Sequence, residues 1–182
     1  MSPTMDHIVS ELFPQAKRTL DRFHVTKNVL EDIQAIRMRI KTNIKSEELE
    51  KEEQCKIDRI KYIPRKLENN ETRLDFITRL RYQLFERRKD WNEHQIRRWE
   101  VLIQQGEFIE IQISYELLEK FYEMYDSKIP KEEAKILWNN WFQRVSQHES
   151  IQELQNTGRT IKNHLEGILN YFDERSTNAF AE

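Results

Sequence analysis

The residues in this chain best suited to chemistry lie in one basic, aromatic-studded stretch, RLRYQLFERRKDWNEHQIRRWE, at positions 79–100. It holds seven cations (Arg79, Arg81, Arg87, Arg88, Lys89, Arg97 and Arg98) and four acids (Glu86, Asp90, Glu93 and Glu100). Seven minus four leaves a local charge of +3, against −2 for the whole chain. A surface of that kind can neutralise a phosphate backbone. The same composition also suits a solvated helical hairpin whose arginines pair with those four acids. Trp91 and Trp99 are expected in the core rather than as base-stacking platforms. Histidine offers less: His7, His24, His94, His148 and His164 include no pair at the i, i+4 spacing of a helical zinc site. The acid-rich run Glu47, Glu48, Glu50, Glu52 and Glu53 reads as a solvated helix extension or a mobile loop, and as a solvated face rather than a metal site. Cys55 is the single cysteine, so no internal disulfide or cysteine-rich zinc motif can form. Gly106, Gly158 and Gly167 are isolated and make no phosphate-cradling loop.

The elements that carry these residues are read from apolar spacing. Val25, Val29, Ile33, Ile36, Ile40 and Ile44 recur at helical intervals and predict a long helix. Leu74, Ile77, Leu80, Leu84 and Phe85 predict a second. Asn92 is a natural cap for a third, bearing Ile96, Trp99, Leu102 and Ile103 and closing at Gly106. Ile111, Tyr115, Leu118, Phe121, Tyr122 and Tyr125 give the next. Pro130 suits a first helical position ahead of Ala134, Leu137, Trp138, Trp141, Phe142 and Val145. One last helix is expected from about Ser150 to Phe172, with Gly158 and Gly167 marking a kink or a close contact. A short helix at Met5–Phe13 and a strand at residues 16–20 complete the reading. The expected core is Leu80, Leu84, Trp99, Leu118, Phe121, Trp138, Trp141 and Phe142.

Composition bounds the rest. Charged residues make up 34% and apolar ones 37%, a thin core for 182 residues, but aromatics at 10% supply volume and argue against disorder. Three glycines and four prolines are too few for the turns of an all-β fold. Apolar runs are too short to span a bilayer, and the N-terminus does not read as a signal peptide, so the expected location is cytoplasmic.

Two patches read together carry a resemblance. Near the start stands MSPTMDHIVSELFPQAKRTLDRFHVTKNV, and at the end ILNYFDERSTNAFAE. The chain resembles the DDE transposases of bacterial insertion sequences, specifically the ISL-three family. The match lies in the Met-Ser-Pro turn, in the string Asp21, Arg22, Phe23, His24 and Val25, in the Arg-Tyr-x-Leu run at Arg81, and in the terminal Arg-Ser-Thr-Asn…Glu at residues 175–182. The resemblance implies that Glu182 is the third metal-binding acid of the catalytic triad. The other two acids fall upstream of Met1. Asp21, Arg22, His24 and Asn178 are implied to lie near the site. It implies residues 1–25 as part of a ribonuclease-H-like core, residues 26–172 as an all-helical insertion, and residues 173–182 as the start of the core helix carrying Glu182. The expected fold is thus mainly all-α, with a short flanking strand.

The function implied for the intact enzyme is Mg²⁺-dependent cleavage and strand transfer of insertion-sequence DNA. This chain, with one triad acid, is expected to be a fragment inactive by itself and to hold no metal. Expected partners are DNA, with a homodimer left open, and neither membrane nor small-molecule substrate. The alternative is a standalone helical interaction or scaffold protein.

Overall fold

The computed structural model describes residues 11–12 and 19–174 of the chain. The described residues fold into seven α-helices and one 3₁₀ turn: α1 (Arg22–Ile57), α2 (Arg73–Gln83), the 3₁₀ turn Arg88–Asp90, α3 (Glu93–Gln105), α4 (Ile109–Asp126), α5 (Lys131–Ser146), α6 (Gln152–Asn163) and α7 (Leu165–Glu174). The only β-type pairing among them is one isolated bridge between Lys66 and Thr72. The expectation of a mainly helical fold therefore holds. The helix expected at Met5–Phe13 is described only at residues 11–12, which are helical.

The 36 residues of α1 make a rod of about 54 Å at 1.5 Å per residue. Its predicted stripe is buried: Val25, Val29, Ile33, Ile36 and Ile44 are at most 2% exposed, and Ile40 packs against the same core. That stripe receives α2, α4 and α6. α5 packs against α4, α6 and α7, and α3 against α4. The acid-rich stretch continues α1 as helix, with most of its side chains in water.

Local chemistry sets the helix ends. Asn92 Oδ1 accepts from the Gln95 amide (3.0 Å) and Gln95 Oε1 accepts from the Asn92 amide (2.9 Å), a reciprocal capping box. Gly106 then closes α3 at φ +63°, a left-handed conformation that costs glycine least. Pro130 caps α5 rather than opening it, with Glu132 and Glu133 in the first turn.

Two expectations need correction. The last helix is not continuous: it breaks at His164 into α6 and α7, at neither glycine. Gly158 instead marks a close approach, since a Cβ there would stand 3.0 Å from Val145 Cγ1 on α5. Phe85 leaves the core face expected for it and is 47% exposed, because α2 ends at Gln83 and the helical spacing no longer applies. The strand expected at residues 16–20 lies outside the described residues at 16–18, while 19–20 form no strand.

The predicted core otherwise assembles. Leu80, Leu84, Trp99, Leu118, Phe121, Trp138 and Trp141 are buried, and Phe142 packs at its edge. Trp91, Trp99 and Tyr115 form one aromatic cluster, with centroids 5.0–5.3 Å apart. Trp138 meets Phe121, Trp141 and Phe142 at 5.2–5.8 Å. Both tryptophans of the basic stretch are thus core residues.

Candidate nucleic-acid interface

The start of α1 and the basic stretch, distant in sequence, meet through one carboxylate. Asp21 caps α1, its Oδ1 accepting from the Phe23 amide at 2.8 Å. This places the Asp-Arg-Phe-His-Val string at a helix start, whereas the sequence put Asp21 at a strand end. The preceding residue docks on α7, where the Leu20 amide donates to the Gly167 carbonyl at 2.9 Å. One turn position on, Arg22 Nη1 lies 3.1 Å from Asp126 Oδ1 at the C-terminus of α4. Arg87 Nη2 donates to the other oxygen of Asp126 at 2.6 Å. Each guanidinium also covers a ring: Arg87 sits 4.4 Å from the centroid of Tyr122, and Arg22 5.6 Å from that of Tyr125. Burial alone would raise the Asp126 carboxyl, but the Arg87 and Arg22 charges outweigh it and hold the group below its usual range. Glu119 also acts on Arg87, and Asp21 stands next to Arg22, so the corner is a mixed cluster of both signs. His24 is exposed beside it, its ring edge-on to Phe23.

The rest of the basic stretch divides by partner. Arg79 and Arg98 both donate to Glu71 Oε1, at 2.6 and 3.1 Å, and Arg97 pairs with Glu93 at 3.3 Å along α3. These three arginines line a concavity of about 680 Å³ together with Asn69, Glu71 and His94. Desolvation opposes ionisation of Glu71, and the hydrogen bonds from Arg98 and Arg79 more than offset it, so its carboxyl is held low. Arg81, Arg88 and Lys89 are exposed and make no ion pair among the described residues. The ion-pairing alternative is thus realised with different acids. Of Glu86, Asp90, Glu93 and Glu100, Glu93 alone takes an arginine of the stretch among the described residues, and the chief acceptors are Glu71 and Asp126, outside it.

Sequence reasoning passed over Arg37, Arg39 and Arg73. Arg39 bridges α4 and α6, donating to Glu110 at 2.5 Å and Glu153 at 2.8 Å. Arg73 joins Glu47 of α1 to Glu107 at 2.8 and 2.7 Å. A signal was present for Arg37, which stands four residues after Ile33 and three before Ile40 on the apolar stripe. The partners of Arg39 and Arg73 lie too far along the chain for spacing to reveal.

Metal ligation does not fit these residues. No three His, Cys, Asp or Glu side chains gather as a cation would need among the described residues. Asp21 is engaged as a cap and Asp126 with two arginines. Glu182 and Asn178 lie outside the described residues. No helix among the described residues is long and apolar enough to cross a membrane.

A family model described as a transposase, that of the ISL-three DDE group, matches residues 1–182, the whole chain. The chain belongs to the ISL-three DDE transposase family. Searches of curated proteins and of solved structures return no match. The family membership agrees with the resemblance read from the Asp21–Val25 string and the chain's end. Membership in a transposase family implies DNA as the partner of the intact enzyme and suggests a divalent metal in it.

Proposed function

We propose that this chain is the helical insertion of an ISL-three transposase, with residues 1–25 and 173–182 belonging to its ribonuclease-H-like catalytic core. The carrying observation is the family match along all 182 residues. In this reading the intact enzyme cleaves insertion-sequence DNA and joins its strands, with Mg²⁺ as the expected cofactor. Glu182 is the third triad acid, and Asn178, Asp21, Arg22 and His24 flank the site. The described residues take no step in the metal chemistry. Their part is to hold the flanks together and to meet DNA.

The corner built by Arg22, Asp126 and Arg87 supports this division of labour. It ties the start of α1, which adjoins the proposed core, to the basic stretch of the insertion. DNA contact by the insertion falls to Arg81, Arg88 and Lys89, whose charges no carboxylate among the described residues neutralises. Binding of this kind is counterion release. It is weak, blind to sequence, and falls steeply between low and physiological salt.

Two assays test the reading. A supercoiled plasmid incubated with the chain and Mg²⁺ stays intact, because a single triad carboxylate cannot hold the cations that would neutralise the negative charge developing on the phosphoryl group. Nicking that disappears in Glu182→Ala overturns that. Fluorescence anisotropy with a short duplex shows binding at low salt that is lost when Arg81, Arg88 and Lys89 are all changed to Glu. Sequence-preferring binding that survives high salt contradicts the proposal, since it requires base-edge contacts.

A further inference from the structure

Arg37 is 4% exposed, in the middle of α1. A buried cation normally faces a carboxylate, because desolvation is costly unless charge is returned. Arg37 instead spends its donors on uncharged acceptors. Nε donates to Gln34 Oε1 at 2.8 Å, Nη1 to the Ile77 carbonyl at 3.3 Å, and Nη2 to Met38 Sδ at 3.2 Å. It makes no ion pair among the described residues. Two N–H groups of the fork remain over.

A second cation borders the same hollow. Arg81, one turn beyond Ile77 on α2, is exposed, and its guanidinium lies 5.4 Å from the Tyr82 ring centroid. Arg37, Arg81, Glu31, Gln34, Met38 and Phe85 enclose a concavity of about 430 Å³. Burial, and then the like charge of Arg81, push the Arg37 guanidinium below its ordinary range. Two guanidinium groups that disfavour each other share a hollow containing one acid, Glu31, which is exposed and paired with Lys27 at 3.7 Å. Met38 and Phe85, each 47% exposed, give the hollow apolar walls beside the two guanidinium groups.

We propose that Arg37 and Arg81 form a phosphate-binding site, occupied by a backbone phosphate of DNA. Arg81 supplies the exposed charge that draws the phosphate in. Arg37 supplies the fixed, buried fork that holds two of its oxygens. The DNA half rests on the transposase reading above; the anion half stands on the geometry alone.

The two halves are measured separately on the full 182-residue chain. Thermal melting in inorganic phosphate is compared with sodium chloride at equal ionic strength. Phosphate raises the melting temperature by about 2–4 °C through mass action. Arg81→Ala removes that rise. Arg37→Met melts above the wild type without phosphate, because an unpaired buried charge is gone, and does not respond to phosphate. In duplex titrations, Arg81→Ala lowers the salt slope of the affinity by about 0.9, one phosphate. The anion site is overturned if phosphate leaves the wild type unchanged and Arg37→Met melts lower, since Arg37 then only ties α1 to the Ile77 carbonyl of α2. It is equally overturned if the phosphate shift survives in Arg81→Ala. A phosphate shift lost in Arg81→Ala beside an unchanged duplex slope assigns the site to free phosphate and overturns the DNA half, leaving the contacts of Arg88 and Lys89 to their own test.

Discussion

Ionisation of Asp32 opposes the fold. This residue sits on α1 against α6, with Thr157 as a hydrogen-bond partner and one carboxylate oxygen, Oδ2, buried without any. Burial, followed by the charges of Glu153 and Glu31, raises its carboxyl to about 7. Arg39 does not relieve it, being engaged with Glu153 and Glu110. An unfolded aspartate titrates near about 3.9. Between these values the folded protein holds more protons than the unfolded one, so stability falls as pH rises from about 4 to about 7 and levels off beyond. Asp32→Asn is therefore expected to flatten that slope and to stabilise the protein at pH 8 by about 1 kcal/mol, a figure reduced for the carboxyl's partial exposure. Urea unfolding at pH 5 and pH 8 measures it. A variant that is less stable at pH 8 would show that Asp32 acts there as a charged hydrogen-bond acceptor.

At the scale of elements, α3 has two ends set by identifiable residues. The Asn92–Gln95 box satisfies amides that the helix leaves open at its start, so Asn92→Ala is expected to cost about 1 kcal/mol. Gly106 has φ +63° and no atom within 4 Å of where a Cβ would stand, so Gly106→Ala strains the backbone without a clash. Its cost is about 1 kcal/mol, entirely conformational. Denaturant midpoints read both. If Gly106→Ala raises the midpoint, loss of entropy in the unfolded chain outweighs the strain. Both features were legible in sequence, because caps depend on residues three or four apart. The break between α6 and α7 was not. It follows from how α7 must turn to place Ile168, Leu169 and Phe172 in the core, which apolar periodicity alone does not report.

The whole molecule is organised by α1 and by the aromatic layer between α4 and α5. Trp138 is fully buried among Phe121, Tyr125, Trp141 and Phe142. Trp138→Ala is expected to destabilise the fold by about 3–5 kcal/mol, read as a lower urea midpoint with unchanged helicity before the transition. A neutral result would mean that this layer closes over the gap. Long-range ion pairs complete the assembly: Arg39 joins α1 to α4 and α6, and Arg73 joins α2 to α1 and to Glu107. Each pair is partly exposed and contributes modestly, so they act chiefly on register, while the apolar core supplies most of the stability.

The sequence by itself determined the helical class, the stripe on α1, the core tryptophans, the caps of α3 and the family, because each depends on residue type and local spacing. It also located the cations of the basic stretch. Tertiary structure alone decided which of those cations are neutralised. Glu71 takes Arg79 and Arg98, and Asp126 takes Arg87 and Arg22, through packing of α2 and α3 beside the Leu67–Glu71 turn and of α4 beside the start of α1. Ion pairing depends on separations of a few ångströms between atoms tens of residues apart, and composition carries no record of those distances. For the same reason Arg37 could be named from sequence as a charge on an apolar face, while its lack of a carboxylate became visible only once α2 was packed against it.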